Sequence, residues 1–303
     1  MKNSALVSIV INNYNYGSFL GQAIESALTQ TYPSVEVIVV DDGSTDNSRE
    51  VIAGYGEQIV PVLKENGGQA SAFNAGFVAS QGDLVCLLDA DDFFLPEKVA
   101  AIVDIFKHHP DSGWCFHPLK MVDAKGEILF EALSRNRSQA YDFRSHIQER
   151  GKLSFSAPAT SGLCFRRSLL QQILPMPEGR YVSIGDHYLK FTALALSKGF
   201  FLDENLTCQR VHSKNAYTLK ANNQRLKARI LVLAAYWIKS KFPTLSRFTN
   251  NLFARGMSTY WRTGGIEREH TDIISHYFSS ASWPEKLEIN SRAIYRYLVP
   301  ERS

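Results

Sequence analysis

The chain has 303 residues, 45% of them hydrophobic and 21% charged, with a formal net charge of +3 at pH 7. Those figures describe a soluble globular protein with one substantial core and a second, smaller unit. The longest apolar stretch, Ile230 to Ile238, is about half the length of a membrane span, so no segment is expected to cross a bilayer.

In chain order, the apolar run Ala5 to Ile11 is interrupted by Ser8 and followed at once by Asn12 and Asn13. It lacks the long apolar region and cleavage site of a signal peptide and reads as a first strand, Leu6 to Ile11. Phe19, Leu20, Ala23, Ile24, Ala27 and Leu28 recur at helical spacing, and a strand over Val35 to Val40 follows. Such alternation predicts parallel βαβ units. Ser44 to Asn47 offer caps for a helix through Tyr55, before a strand over Ile59 to Leu63. The turn Asn66-Gly67-Gly68 opens a helix over Ala70 to Ala79, Asp83 to Leu88 reads as a central strand, and Pro96 suits the first turn of a helix reaching His109.

Trp114 to Met121 predicts a strand, and Asp123 to Gly126 a turn into Glu127 to Phe130. From Glu131 to Ser161 the pattern fades, over a length that suggests a substrate-facing loop. Regular pattern returns over Arg167 to Ile173, with a helix starting near Asp186 and a strand pair over Phe200 to Val211. Beyond Lys220 the signals are helical. The expected organisation is therefore an α/β domain over residues 1–215 and a helical region over 216–303.

Charge is unevenly placed along this order. Residues 1–219 carry 19 basic and 24 acidic side chains, whereas residues 220–303 carry 14 and 6. The basic tail suits an anionic lipid surface, a phosphorylated partner or simple solvation. Cys86, Cys115, Cys164 and Cys208 are widely spaced and set in apolar surroundings, as expected of buried thiols in a reducing cytosol.

The chemistry concentrates in two acidic clusters, each directly after an apolar run: Asp41-Asp42-Gly43-Ser44 and Asp89-Ala90-Asp91-Asp92. Strands that end in Asp deliver carboxylates to the carboxyl edge of a sheet, where open α/β folds bind ligands. Several adjacent carboxylates repel one another unless a cation neutralises them. A carboxylate-rich site completed by substrate phosphates suits Mg²⁺ or Mn²⁺. Taken singly, either cluster is equally a capped strand end or a turn.

The segments Val7-Ser8-Ile9-Val10-Ile11-Asn12-Asn13-Tyr14-Asn15, Val39-Val40-Asp41-Asp42-Gly43-Ser44-Thr45-Asp46, Asn66-Gly67-Gly68-Gln69 with Asn74 and Gly76, and Asp89-Ala90-Asp91-Asp92 together resemble the family 2 glycosyltransferases of GT-A fold. The resemblance implies a mostly parallel central sheet flanked by helices, with a C-terminal helical extension. It implies that Asn12, Asp42, Gly68, Gln69 and Asp89 meet the donor nucleotide, that Asp91 and Asp92 hold the metal, and that Asn74 ties loops together. Ile184-Gly185-Asp186 stands where the family places its catalytic base, though Gly185 replaces the acidic residue common there. Arg210-Val211-His212-Ser213-Lys214-Asn215 resembles the segment that closes many family members, which adds His212 to the metal set, and Ser161 to Arg167 falls where the family forms part of its acceptor pocket.

The implied activity is inverting transfer of a sugar from a UDP-, dTDP- or GDP-sugar to a hydroxyl of a saccharide or lipid-linked saccharide, in bacterial surface polysaccharide synthesis. A haloacid dehalogenase-type phosphohydrolase fits less well, because Phe93 and Phe94 follow the Asp-x-Asp pair and Asp41-Asp42 would have no role. A catalytically silent glycan-binding relative is the non-enzyme alternative. Processive synthases of the family carry a Gln-x-x-Arg-Trp motif and membrane helices, and neither is present in the sequence. No nucleic-acid partner is expected. The setting is cytoplasmic, with the basic tail contacting the inner face of the membrane or forming a homodimer.

Overall fold

The computed structural model describes residues 4–131, 136–178, 184–213, 215 and 224–299. Its first half alternates strands and helices: β1 (Val7–Asn13), α1 (Gly17–Leu28), β2 (Val35–Asp42), α2 (Ser48–Ala53), β3 (Val60–Lys64), α3 (Gln69–Ala79), β4 (Leu84–Asp89), β5 (Phe93–Phe94) and α4 (Lys98–His108). There follow β6 (Trp114–Phe116), β7 (Lys120–Val122), β8 (Ile128–Glu131), β9 (Gln139–Tyr141), α5 (Arg144–Arg150), β10 (Leu163–Arg166), α6 (Arg167–Ile173), α7 (Gly185–Leu196), β11 (Gly199–Phe201) and β12 (Thr207–Arg210). Four further helices end the described chain: α8 (Gln224–Lys241), α9 (Ser246–Arg262), α10 (Thr271–Ser279) and α11 (Trp283–Leu298).

Every residue of β1 is buried, as expected of a central strand covered on both faces. It pairs in parallel with β2 on one side and β4 on the other, with Asn12 opposite both Val40 and Asp89. On α1 the residues Leu20, Ala23, Ile24 and Ala27 are buried, the apolar stripe that helical periodicity predicts. Against the other face, α3 approaches so closely that a Cβ on Gly76 would stand 2.3 Å from Val10 Cγ1. The core gathers Ile9, Ile11, Ile24, Val37, Val39, Leu88, Val99 and Ile102.

Beyond β4 the sheet is less parallel than the sequence suggests. Its strand order is β3-β2-β1-β4-β10-β6-β11-β9, and β10 runs antiparallel to both neighbours, as β9 does to β11. The expected strand over Trp114 to Met121 is two strands in different sheets, because Pro118 lies between them and proline cannot complete a ladder. The expected pair over Phe200 to Val211 is likewise divided: β11 joins the large sheet, while β12 lies between β5 and β7 in a four-stranded one.

The chain packs into two compact units. The first comprises Met1–Asp142, Phe155–Glu178 and Leu196–Ala216, and the second Phe143–Ser154, Gly179–Ala195 and Tyr217–Ser303. The second unit thus takes in α5 and nearly all of α7 as well as the C-terminal helices, and part of the expected Glu131 to Ser161 loop is helix α5. The expected boundary at 216 falls among residues 216–223, outside those described. In the second unit α8 packs on α9 and α9 on α11, around Val232, Phe248, Leu252, Phe253 and Tyr277. All four cysteines are buried free thiols. Among the described residues no helix is long and apolar enough to cross a membrane.

Candidate active site

The carboxyl ends of β1, β2 and β4 place Asn12, Asp42 and Asp89 along one edge of the large sheet. Asn12 is about nine-tenths buried, yet neither its Oδ1 nor its Nδ2 has a hydrogen-bond partner. Buried amides are otherwise satisfied with few exceptions, and Asn12 is one of them.

The two aspartates of β2 work inward. Asp41 accepts from Asn13 Nδ2 at 2.8 Å, Ser44 N at 3.1 Å and Arg49 Nε at 3.1 Å. Burial pushes its carboxyl up, and the donors from Ser44, Arg49 and Asn13 outweigh burial and hold it below the ordinary carboxylate range. Asp42 accepts from Gly67 N at 2.9 Å, Gly68 N at 2.7 Å and Lys64 Nζ at 2.7 Å, and so shapes the turn that opens α3. Gly68 has φ +83° there, a conformation that glycine adopts without penalty. Gln69 is the first residue of the helix.

After β4 the chain turns tightly, with Asp92 N donating to Asp89 O at 3.0 Å. Asp91 Oδ2 lies 3.1 Å from His212 Nε2 and accepts from Asn215 Nδ2 at 3.0 Å. Burial raises the Asp91 carboxyl, and the neighbouring His212 offsets this only in part. His212 stacks on Phe19 with ring centroids 4.7 Å apart and meets Tyr16 edge-on. The expectation that Asp92 also ligates metal does not match its geometry. Its two oxygens accept from Ser161 Oγ at 2.6 Å and Arg210 N at 2.9 Å, which makes it an internal anchor. Burial, followed by the adjacent Asp91 and Asp89 carboxylates, pushes its carboxyl well above the ordinary range.

Arg210 and Ser161 are the parts that motif reading undervalued. Arg210 is almost wholly buried and donates to Asp91 O at 2.9 Å, Ala124 O at 2.8 Å and Gln22 Oε1 at 2.5 Å, with its guanidinium over Phe19 and Phe93. Its place in the Arg-x-His-x-x-Asn segment was the available signal. Arg166 and Arg167, read either as part of an acceptor-pocket segment or as ordinary surface charges, are tied to Phe106 O and Ser112 O, and to Gly82 O and Ser80 Oγ. Asn74 acts as the loop tie: it donates to Met176 O at 2.9 Å and accepts from Met176 N at 2.8 Å.

Asp186 belongs to the second unit, in the first turn of α7. Its oxygens lie 3.0 Å from His187 Nδ1 and 2.8 Å from Lys190 Nζ. Burial pushes this carboxyl up, but Lys190 and His187 outweigh burial and hold it well below the ordinary range.

Among the described residues no group of three or more His, Cys, Asp or Glu is arranged to hold a metal. Asp91 and His212 supply two adjoining O and N donors, which fits a divalent ion whose remaining positions belong to water and substrate phosphate.

Residues 8–174 match the model of the family described as glycosyl transferase family 2. An uncharacterized glycosyltransferase of Nostoc sp. is 37% identical over 220 residues, 71% of this chain and 68% of that protein. One from Rickettsia typhi is 42% identical over 42% of this chain and 40% of that protein, so the chain spans less than half of that relative. Among solved structures, S. aureus TarS 1-349 in complex with UDP-GlcNAc superposes with a TM-score of 0.66 at 17% identity, covering 96% of this chain and 89% of that one. The mannosyltransferase PcManGT of Pyrobaculum calidifontis, in complex with GDP-Man and Mn²⁺, gives 0.50 at 15%, covering 99% and 89%. The mixed sheet flanked by helices is the GT-A fold, and the chain belongs to glycosyltransferase family 2.

Proposed function

We propose that the protein is an inverting glycosyltransferase that moves a hexosyl group from a UDP-, dTDP- or GDP-sugar to a hydroxyl of a saccharide or lipid-linked saccharide in bacterial surface polysaccharide synthesis. One observation carries the reading: the unpartnered amide of Asn12 beside Asp89, on the sheet edge where Asp91 is held by His212 and Asn215. Nucleotide-sugar complexes of two proteins of this fold support the donor class.

In this reading Asn12 meets the nucleobase, Asp42 holds the Gly67-Gly68 turn against the nucleoside, and Gly68 and Gln69 line the donor. Asp89 meets the ribose. Asp91 and His212 would hold Mn²⁺ or Mg²⁺, and Asp92, bonded to Ser161 and Arg210, braces the turn that carries Asp91. A divalent ion bound there supplies Lewis-acid stabilisation of the departing diphosphate, worth several kcal/mol. Asp186 takes the proton of the attacking hydroxyl, a contribution of about 10²- to 10⁴-fold. Inversion follows from a single displacement. The basic C-terminal region serves at the inner membrane face or between two copies.

A screen of nucleotide sugars for slow hydrolysis in the presence of Mn²⁺ tests the reading. One donor should be hydrolysed, and Asp91→Ala should abolish the reaction. Cleavage of generic phosphate esters without sugar release would favour a phosphohydrolase. Donor binding without any turnover would favour a silent relative.

A further inference from the structure

Packing divides the charge of this chain more sharply than sequence order does. The first unit holds 14 basic and 22 acidic side chains and the second 19 and 8, for net charges of −8 and +11. The same basic unit also carries an apolar solvent-facing helix surface, that of α11.

On α11 the packed side buries Ile289 and Ala293, yet the solvent side is apolar as well. Apart from Lys286, its charged side chains are tied to neighbouring side chains: Glu285 accepts from Lys239 Nζ at 2.9 Å and Asn250 Nδ2 at 3.1 Å, Arg292 pairs with Glu288 at 2.6 Å, and Arg296 Nη2 donates to Asn251 Oδ1 at 3.2 Å. The exposed side instead bears Trp283, Leu287, Ile294 and Leu298. At 100° per residue these four fall within one narrow stripe along the helix, in which the remaining positions are the uncharged Asn290 and Ser291. Trp283 is 73% exposed and Leu298 69%. Tyr295 and Tyr297 flank the stripe, and Trp261 of α9 extends it by meeting Tyr297 edge-on at 6.0 Å.

The helix is held firmly at both ends. Ser282 and Glu285 form a capping box at its start, and Arg262 donates to the carbonyls of Arg296 and Tyr297 at its end. A fixed helix with paired charges and an uncharged, aromatic-edged outer face is poorly matched to water.

Two occupants fit an apolar face, and charge separates them. Symmetric pairing of two copies through α11 would bring together two units of net +11. An anionic leaflet offers the opposite charge, and it suits the side chains as well: Trp and Tyr rings sit at headgroup level, and Leu and Ile enter the acyl boundary. We propose that the α11 face docks on an anionic membrane surface, with Trp283, Leu287, Ile294 and Leu298 entering the headgroup–acyl boundary while the basic unit faces the lipid phosphates. The inference does not rest on the catalytic reading and stands or falls without it.

Flotation of the full chain with vesicles tests it. Vesicles of phosphatidylcholine containing roughly a quarter phosphatidylglycerol should carry at least about tenfold more protein than phosphatidylcholine alone. The triple variant Trp283→Ser, Leu287→Ser, Ile294→Ser should lose about tenfold of that binding, with an unchanged circular dichroism spectrum and melting point. Val78→Ser, at an exposed apolar residue of the first unit, should bind as the parent does. A milder variant guards against misfolding: brominated lipid should quench the tryptophan fluorescence of the parent, and Trp283→Phe should remove most of that quenching. Failure of the parent to float with anionic vesicles would overturn the proposal, as would equal flotation of the triple variant. A concentration-dependent dimer that the triple variant dissolves, in a protein that does not float, would assign the face to a second copy instead.

Discussion

The backbone N–H of Arg210 donates to Asp92 Oδ1 at 2.9 Å, joining residues 118 positions apart. Through this bond the turn after β4 and the strand β12 are set together, and Asp91 is presented between them.

Asp92 and Asp91 should therefore fail in different ways when substituted. Asp92→Ala strips two buried donors, Ser161 Oγ and Arg210 N, of their acceptor, at a cost of about 2–4 kcal/mol. Asp91→Ala leaves Asn215 Nδ2 bonded to Arg210 O at 3.1 Å and should cost less than about 1 kcal/mol. Urea unfolding of the two variants checks the contrast, since similar losses would show that Asp92 is no more structural than its neighbour.

Nucleotide binding gives the complementary test. Titration of UDP, dTDP and GDP by calorimetry should show affinity that rises with Mn²⁺ and a rise that Asp91→Ala removes. Asn12→Leu replaces the unpartnered amide with an apolar group of similar size and should weaken binding by about tenfold or more. Metal-independent binding would refute the assignment of Asp91.

Lys190 and His187 hold the Asp186 carboxyl well below its ordinary range, so it is ionised throughout the neutral region. Asp186→Asn should leave less than about a tenth of the turnover. Lys190→Met removes the ammonium beside the carboxyl and raises its pKa toward that of a free carboxyl, so the acid limb of the rate profile should move to higher pH. A limb that stays in place under Lys190→Met would show that another group carries the proton.

The second unit has its own acid-sensitive joint. Glu267 accepts from Arg229 Nη2 at 2.5 Å, Arg229 Nε at 2.9 Å and Tyr260 Oη at 2.9 Å. Chiefly through the Arg229 bonds its carboxyl is lowered to about 2. A depressed carboxylate pKa contributes stability above the unfolded value of about 4.3, lost as pH falls through the folded value. After a discount for solvent screening the contribution is on the order of 2 kcal/mol. Glu267→Gln should be less stable by that amount at pH 7, and the difference should shrink steadily between pH 5 and pH 2 in denaturant titrations.

Much of the first half of the fold was legible in the sequence, because its contacts are local in order. The apolar run that marks a strand over Leu6 to Ile11, the 3.6-residue recurrence of Leu20, Ala23, Ile24 and Ala27, and the Asp-terminated strands each announce themselves within a dozen residues. What escaped is non-local. Nothing in the local pattern of Leu163 to Arg166 says that this strand enters antiparallel between β4 and β6, or that α5 and α7 pack with helices near the far end of the chain. The site divides in the same way. Asp42, Asp89 and Asp91 are visible as strand ends, whereas the inward turn of Asp92 depends on Ser161 and Arg210, which are distant in sequence. The uncharged face of α11 was hidden for a different reason: helical periodicity reports an amphipathic helix without saying which side is packed.

The position of β10 also bears on how the chain is assembled. While the protein is being synthesised, β3, β2, β1 and β4 can pair as soon as they appear, but the free edge of β4 awaits a strand made about seventy residues later. During that interval the nascent sheet presents Val85 and Leu87 on an open hydrophobic edge, the kind of surface that invites mispairing. The strand that ends in Asp89 is thus completed by a late segment, and chaperone dependence or aggregation during synthesis would be concentrated in the stretch of translation between residues 89 and 163.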